Sequence, residues 1–366
     1  MQENKTNLLG FTKNELQEFI VSLGGKTYNG TQVFKWIHHF KINDFSKMTD
    51  LSKNLRKVLE ENCEILPPLI VNEHIAKDGT IKWLISIAGG NIVETVFIPK
   101  GKRATLCISS QAGCILNCSF CHTAKQGFSK NLSKQEIIGQ LWLAEKRLSK
   151  PMTNVVMMGM GEPLLNFSAV KSALAIMRDP LAYQLPRRRL TVSTSGVVPE
   201  IYRLAKECDV TLAISLHAPT DELRNLLVPI NKKYPIATLL EACKSYISSK
   251  PNSKVTIEYV MLKDVNDSII HAKQLMNLLK QLPCKINLIP FNPFVGTNYQ
   301  SSSIENIHKF SEVLIKAGFT VTIRLTRGED INAACGQLAG EIIDKTKRSQ
   351  RYYANLKSTE ITNVLH

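Results

Sequence analysis

From residue 104 onward, short β-rich runs alternate with helical patterns, and this alternation constrains the fold more than any other feature of the chain. The runs are Ala104–Ser109, Asn154–Met158, Arg189–Ser193, Val210–Ser215, Lys254–Val260, Cys284–Ile289 and Thr320–Leu325. Repeated β-then-α units imply parallel strands joined by right-handed crossovers. Six such units and a seventh strand predict an α/β fold, an incomplete (βα)6-type TIM barrel with an extra strand. A barrel of this kind carries its chemistry at the C-terminal ends of the strands. The polar and unusual residues of the chain fall at those ends: a cysteine-rich loop after residue 109, Gly159-Met-Gly-Glu-Pro163, Ser193-Thr-Ser195, Ser215-Leu-His217 and Pro290-Phe-Asn292.

The first 69 residues have a different period. Thr12-Lys-Asn-Glu15 is a capping box, followed by Leu16, Phe19, Ile20 and Leu23 at helical spacing, with Gly24-Gly25 as the stop. Val33, Trp36, Ile37 and Phe40 predict a second helix, and Leu51, Leu55, Val58 and Leu59 a third. Lys26, Lys35, His38, His39, Lys41, Lys53, Arg56 and Lys57 are expected on the exposed faces, making 1–69 a basic helical accessory domain, suited either to gripping RNA or to a plain solvated face. Residues 70–102 then alternate as strands, Ile70–Ala76, Ile81–Ile87 and Ile92–Ile98, around Asp78-Gly79 and Gly89-Gly90, and read as a β-meander. The barrel is expected over 103–345, with 346–366 as a basic tail.

Charge narrows the partners. Lys and Arg number 46 against 31 Asp and Glu, a net charge of +15. Such an excess favours a polyanion held by phosphate contacts. No run reaches the roughly 18 apolar residues of a membrane span, and the polar start lacks a signal-peptide core. The expected location is cytoplasmic, without membrane association. There, nine cysteines are reduced thiols, metal ligands or catalysts rather than structural disulfides.

Cys114, Cys118 and Cys121 stand in the spacing C-x₃-C-x₂-C, with Phe120 just before the last. Three thiolates at this spacing suit three irons of a cubane [4Fe–4S] cluster, leaving one iron open to a substrate. The alternative is a zinc knot completed by His122 or a distant cysteine, although zinc sites normally come as paired elements. Glycines in Gly159–Pro163 let backbone approach a ligand closely, and Glu162 lies beside them. Ser193, Ser215, His217 and Asn292 end successive strands. Cys335 opens a helical pattern beside Gly336, where a helix N-terminus favours a thiolate, and Cys107 lies on the strand entering the cysteine loop. For both, an apolar buried cysteine is the plain alternative. Glu94, on the face of its strand opposite Val93 and Thr95, points either into a site or to solvent.

The cysteine spacing resembles the cluster motif of radical S-adenosylmethionine (SAM) enzymes. Further stretches are similar to the RlmN family within them: Arg103–Cys114, Gly159–Asn166, Ser193–Pro199, Ile214–Pro219, Val228–Tyr234, Ile257–Leu262, Cys284–Pro290 and Ala334–Gly340. The resemblance covers about residues 8 to 350. It implies a methyltransferase acting on carbon 2 of an adenine in 23S rRNA, at the peptidyl transferase centre, and in the tRNA anticodon arm. It makes Cys114, Cys118 and Cys121 the [4Fe–4S] ligands, and Gly161, Glu162, Ser193, Ser215, Leu216, His217 and Asn292 the SAM contacts. Cys335 becomes the S-methylated cysteine, Cys107 the resolving cysteine and Glu94 the proton acceptor. The implied route consumes two SAM per turnover: one methylates Cys335, the other yields a radical that activates that methyl for addition to the base. A transient Cys107–Cys335 disulfide follows, so an external electron donor of flavodoxin type is implied, acting on a monomer. The rival within the family is Cfr-type methylation of adenine carbon 8, against which Arg324–Asp330 is similar to the carbon-2 branch. A small-molecule radical SAM reaction would leave Cys107, Cys335 and the charge unused, and a non-enzymatic RNA-binding iron–sulfur or zinc protein would not cleave SAM.

Overall fold

The computed structural model describes residues 5–250 and 253–352, so residues 1–4 and the 353–366 part of the expected tail lie outside the described residues. The capping box read at Thr12 forms, and so does a second one at Ser133. Glu15 Oε2 accepts from Thr12 N at 2.8 Å at the head of helix Lys13–Ser22, and Glu136 Oε2 accepts from Ser133 N at 2.7 Å at the head of helix Lys134–Leu148. Helices Thr27–His38 and Lys53–Asn62 complete the N-terminal set, which buries Leu16, Ile20, Val33, Phe34, Ile37, Leu55 and Leu59.

Three expectations for this region are corrected. His38 is fully buried rather than exposed, its ring against Phe34 and Tyr183. Lys41 does not hang in solvent but pairs with Glu145 at 2.9 Å. Phe40 lies beyond the end of its helix and is exposed. One cause explains the first two: the His38 end of the helix docks on the barrel, where Trp142 Nε1 donates to Ile37 O at 2.9 Å. Periodicity within one helix does not reveal what will cover its end.

Seven parallel strands form in the expected order: Arg103–Cys107, Asn154–Met157, Leu190–Thr194, Thr211–Ser215, Val255–Met261, Cys284–Pro290 and Thr320–Ile323. Helices Lys134–Leu148, Phe167–Arg178, Val198–Glu207, Ile236–Ser248, Ile269–Leu279 and Ile304–Lys316 connect them. Covered outside by helices and inside by the lumen, these strands read as near-continuous apolar runs; Leu212, Ile214, Val255, Ile257, Ile286 and Leu288 are fully buried. The meander continues the same sheet. Asn91–Lys100 pairs antiparallel with Arg103–Cys107, followed outward by Ile81–Ile87 and Leu69–Ile75, giving ten strands. The end strands, Thr320–Ile323 and Leu69–Ile75, do not pair with one another, so the barrel stays open.

Candidate active site

At the C-terminal ends of the strands lies a cavity of about 160 Å³, lined by Cys114, Cys118, Cys121 and Cys335. A smaller space of about 20 Å³, room for about one water, is lined by Cys107, Asn292, Arg324 and Cys335. The two share Cys335 and Arg324.

The three loop cysteines fit an iron–sulfur cluster by their chemistry. Each thiol is pushed up first by burial, and the thiol of Cys114 next by Cys118 and Cys121 themselves. Thiols that oppose one another's ionisation become thiolates together only when strongly positive metal joins them. In a cubane each of the three thiolates takes a separate iron. His122, the nearby candidate for zinc, stacks instead on Phe294 with centroids 4.7 Å apart and planes 5° apart.

The SAM candidates divide. Gly161, Glu162, Ser193, Ser215 and His217 line the large cavity. Gly161 has φ +98°, and a Cβ there would lie 2.5 Å from Gln111 Cβ, so this turn requires glycine. Glu162 accepts from Ser195 N at 2.8 Å and Leu164 N at 3.1 Å; burial pushes its carboxyl up to about 7 against these hydrogen bonds. His217 Nδ1 accepts from Val260 N at 3.0 Å, which leaves Nε2 as the protonated nitrogen of a neutral ring. Burial, then the Arg224 charge, push that imidazole down to about 3. Leu216 is fully buried and lines neither cavity; its backbone N–H donates to Glu258 O at 3.1 Å. Asn292 lines the smaller space, where its Nδ2 donates to Cys335 O at 3.3 Å.

Cys107 and Cys335 are free thiols on the two sides of the small space. Burial, and then Cys335, push the Cys107 thiol up to about 12. The Cys335 thiol is also raised by burial, but the Arg324 guanidinium pulls it back. Glu94 lines neither cavity. It is buried, pairs with Lys82 at 3.0 Å and accepts from Ala339 N at 2.9 Å, four residues past Cys335.

Three polar residues of the site were not singled out by sequence. Glu258 lines the large cavity with Asn287 Nδ2 at 2.9 Å from its carboxylate. A lone carboxylate in the apolar strand Val255–Met261 was its available signal. Arg324 ends the last strand and enters both cavities. Arg224 is fully buried and donates to Ser195 O at 2.6 Å, Leu216 O at 3.0 Å, Ser215 O at 3.1 Å and Asn231 Oδ1 at 2.8 Å, tying two strand-end loops together. An arginine in helix Asp221–Leu227 gives no local hint of that role.

Comparison with known proteins agrees with this geometry. Residues 6–65 match the family described as ribosomal RNA large subunit methyltransferase N-terminal domain, and residues 108–276 match the radical SAM superfamily. The chain is 55% identical over 358 residues to the dual-specificity RNA methyltransferase RlmN of Pseudomonas fluorescens, covering 96% of this chain and 94% of that protein. It is 56% identical to the same enzyme of Pseudomonas putida over the same shares. A radical SAM methyltransferase from Sphaerobacter thermophilus superposes with a TM-score of 0.86 at 41% identity, covering 91% of this chain and 99% of that one. With the cysteine loop, the paired thiols and the open barrel in one arrangement, this chain belongs to the RlmN family of radical SAM enzymes.

Proposed function

We propose that this protein methylates carbon 2 of an adenine in 23S rRNA and in tRNA, through a methyl group carried on Cys335. The observation that carries the reading is the pairing of Cys107 and Cys335 at a small space, with Cys335 also lining the cysteine-loop cavity. Cys114, Cys118 and Cys121 would hold a [4Fe–4S] cluster. When bound, the cluster supplies an electron, and SAM supplies the methyl group and the radical that activates it. Glu162, Ser193, Ser215 and His217 orient SAM in the large cavity, with the backbone of Gly161 beside them; Leu216 acts only by fixing the strand end, and Asn292 by holding the Cys335 backbone.

Carbon 2 of adenine lies between two ring nitrogens and is electron-poor, so it does not attack a methyl sulfonium directly. A carrier residue resolves that difficulty. Cys335 takes the methyl on sulfur, with Arg324 favouring the thiolate that must attack. After carbon–carbon bond formation the ring proton passes to Glu94, and the unpaired electron returns to a bound cluster. Cys107 thiolate then attacks Cys335 sulfur. The electron pair of the bond from that sulfur stays with the former methyl carbon, which takes up a proton to become the product methyl group, and a Cys107–Cys335 disulfide remains. An external donor of flavodoxin type then re-reduces the disulfide.

The net charge of +15 suits an RNA partner, and domain 1–69 supplies a basic face through Lys26, Lys35, Lys53 and Lys57, all exposed. The target base must leave its stack to reach the barrel mouth. The protein acts as a cytoplasmic monomer; among the described residues no helix is long and apolar enough to cross a membrane. The names and 55–56% identity of the RlmN relatives favour carbon 2 over the Cfr-type carbon 8. The test is trapping: Cys107→Ala accumulates a covalent protein–RNA adduct, whereas Cys335→Ala forms neither adduct nor product. Free methylated RNA in normal yield from Cys107→Ala would overturn the reading.

A further inference from the structure

Beyond Cys335 the chain turns back across the cysteine loop as a strap. His122 N donates to Gly336 O at 2.8 Å, Thr123 Oγ1 to Leu338 O at 2.6 Å, Gln126 Nε2 to Gly340 O at 2.6 Å, and Lys345 N to Phe128 O at 2.9 Å. The basic stretch Lys345–Arg351 is therefore not all solvated charge. Arg348 turns inward, and its guanidinium donates to Cys114 O at 2.6 Å, Leu116 O at 3.0 Å, Ala124 O at 3.2 Å and Ile115 O at 3.3 Å.

The placement of Arg348 is built. Asp344 accepts from Thr346 N at 2.7 Å and Oγ1 at 2.6 Å, and from Ser349 N at 2.8 Å and Oγ at 2.7 Å, tying the strap into a tight turn. Thr346 Oγ1 in turn accepts from Arg348 Nε at 3.0 Å. Residues 114–117 belong to no helix or strand, so their carbonyls have no ladder to enter. A guanidinium, with five donors in a rigid fork, can gather several carbonyls at once, which a lysine ammonium on a flexible stem does less well. Across the cavity, Arg224 gathers Ser195, Ser215 and Leu216 carbonyls in the same manner.

We propose that Arg348 is a positioning residue for the cysteine loop: it fixes the backbone from Cys114 to Leu116 in the shape that iron ligation needs, and through the strap it links that loop to the segment bearing Cys335. The inference rests on reading Cys114, Cys118 and Cys121 as cluster ligands. A purely electrostatic duty toward RNA phosphate predicts a different result, because it leaves the loop unchanged.

The test uses the full chain and its Arg348→Met and Arg348→Lys variants. Amide hydrogen exchange over residues 114–121 is read before iron loading, with the strand Val255–Met261 as the control for global unfolding. Iron and sulfide per chain, and the loss of cluster absorbance in air, are read after anaerobic loading. Arg348→Met should exchange about tenfold faster across the loop and lose its cluster about tenfold sooner, as expected when several charge-assisted hydrogen bonds are removed. Arg348→Lys should recover part of both. Unchanged loop exchange and cluster lifetime in Arg348→Met, with or without weaker RNA binding, would overturn the proposal. Should the parent chain take up no iron and sulfide, the ligand reading falls, while exchange over 114–121 still decides the role of Arg348.

Discussion

The cysteine loop and the Cys335 segment bring thiols to one cavity under different electrostatic conditions. At the loop end, the largest influences on Cys114 after burial are Cys118, Cys121 and Glu162, which raise its pKa against a backbone hydrogen bond from Leu116. At the other end, the first influence on Cys335 after burial is Arg324, which lowers it. Arg224 pulls Cys118 down as well, but Cys121 opposes it and burial still pushes that thiol up to about 12, so the loop thiols ionise as metal ligands or hardly at all. Cys335 must ionise with no metal on it, and the fold supplies the cation. Cys243 is a useful third case: burial in the core pushes it up to about 12 although Arg224 pulls it back, and it lines neither cavity. A buried cysteine without access stays inert; charge and access together decide whether a cysteine becomes a ligand or a nucleophile.

The sharpest way to break this comparison is a double dissociation. Cys118→Ala should remove the iron–sulfur absorbance and all methylation while leaving Cys335 alkylation within about twofold, since Arg324 is untouched. Arg324→Met should do the reverse, keeping iron content but slowing Cys335 alkylation at neutral pH about tenfold, the equivalent of about one pKa unit. The sign of the pH dependence follows from the raised Cys335 pKa. Thiolate is scarce at neutral pH and grows as pH rises, so alkylation accelerates with pH, and the Arg324→Met profile moves further to the alkaline side. Arg324→Lys should restore part of the shift. Equal effects of both substitutions on both readouts would erase the distinction between the ends.

Glu94 tests how far the thiol end extends. Glu94→Gln leaves Lys82 without its partner in a site where the two side chains are only 10% and 4% exposed, and should cost about 3 kcal/mol of stability. Adding Lys82→Met should restore most of that stability without restoring methylation; recovery of both would make Glu94 structural.

The smallest effect lies far from both ends and serves as their control. Burial, then the Lys41 charge, push the His38 imidazole down to about 3. The folded pKa lies below the unfolded one, so the contribution of neutral His38 is present above about pH 6.5 and is lost as pH falls, by about 2 kcal/mol at pH 5. Thermal unfolding at pH 7.5 and pH 5 should show this loss in the parent and a flatter profile in His38→Phe, with iron content and Cys335 alkylation unchanged in the variant at pH 7.5.

What the sequence disclosed follows the range of the interactions. The capping boxes at Thr12 and Ser133, the parallel strand order and the glycine turn at Gly161 depend on neighbours in sequence or on a repeated period, and each was legible. The burial of His38 against Tyr183 joins groups 145 residues apart. The Arg348 bond to Cys114 O spans 234 residues and the Ala339 bond to Glu94 spans 245. No local pattern encodes such pairs, so the sequence shows 346–366 only as a basic tail and leaves Glu94 open between site and solvent. Arg224 and Arg324 were missed for the same reason: an arginine advertises its charge, not the carbonyls or thiols it will meet.

The central claim is tested most directly by nucleoside mass spectrometry of unmodified rRNA and tRNA after anaerobic incubation with the loaded protein, SAM and a reductant. The account predicts 2-methyladenosine in both RNAs, with Cys335→Ala producing none. 8-Methyladenosine, or SAM cleavage without any methylated adenosine, would contradict it.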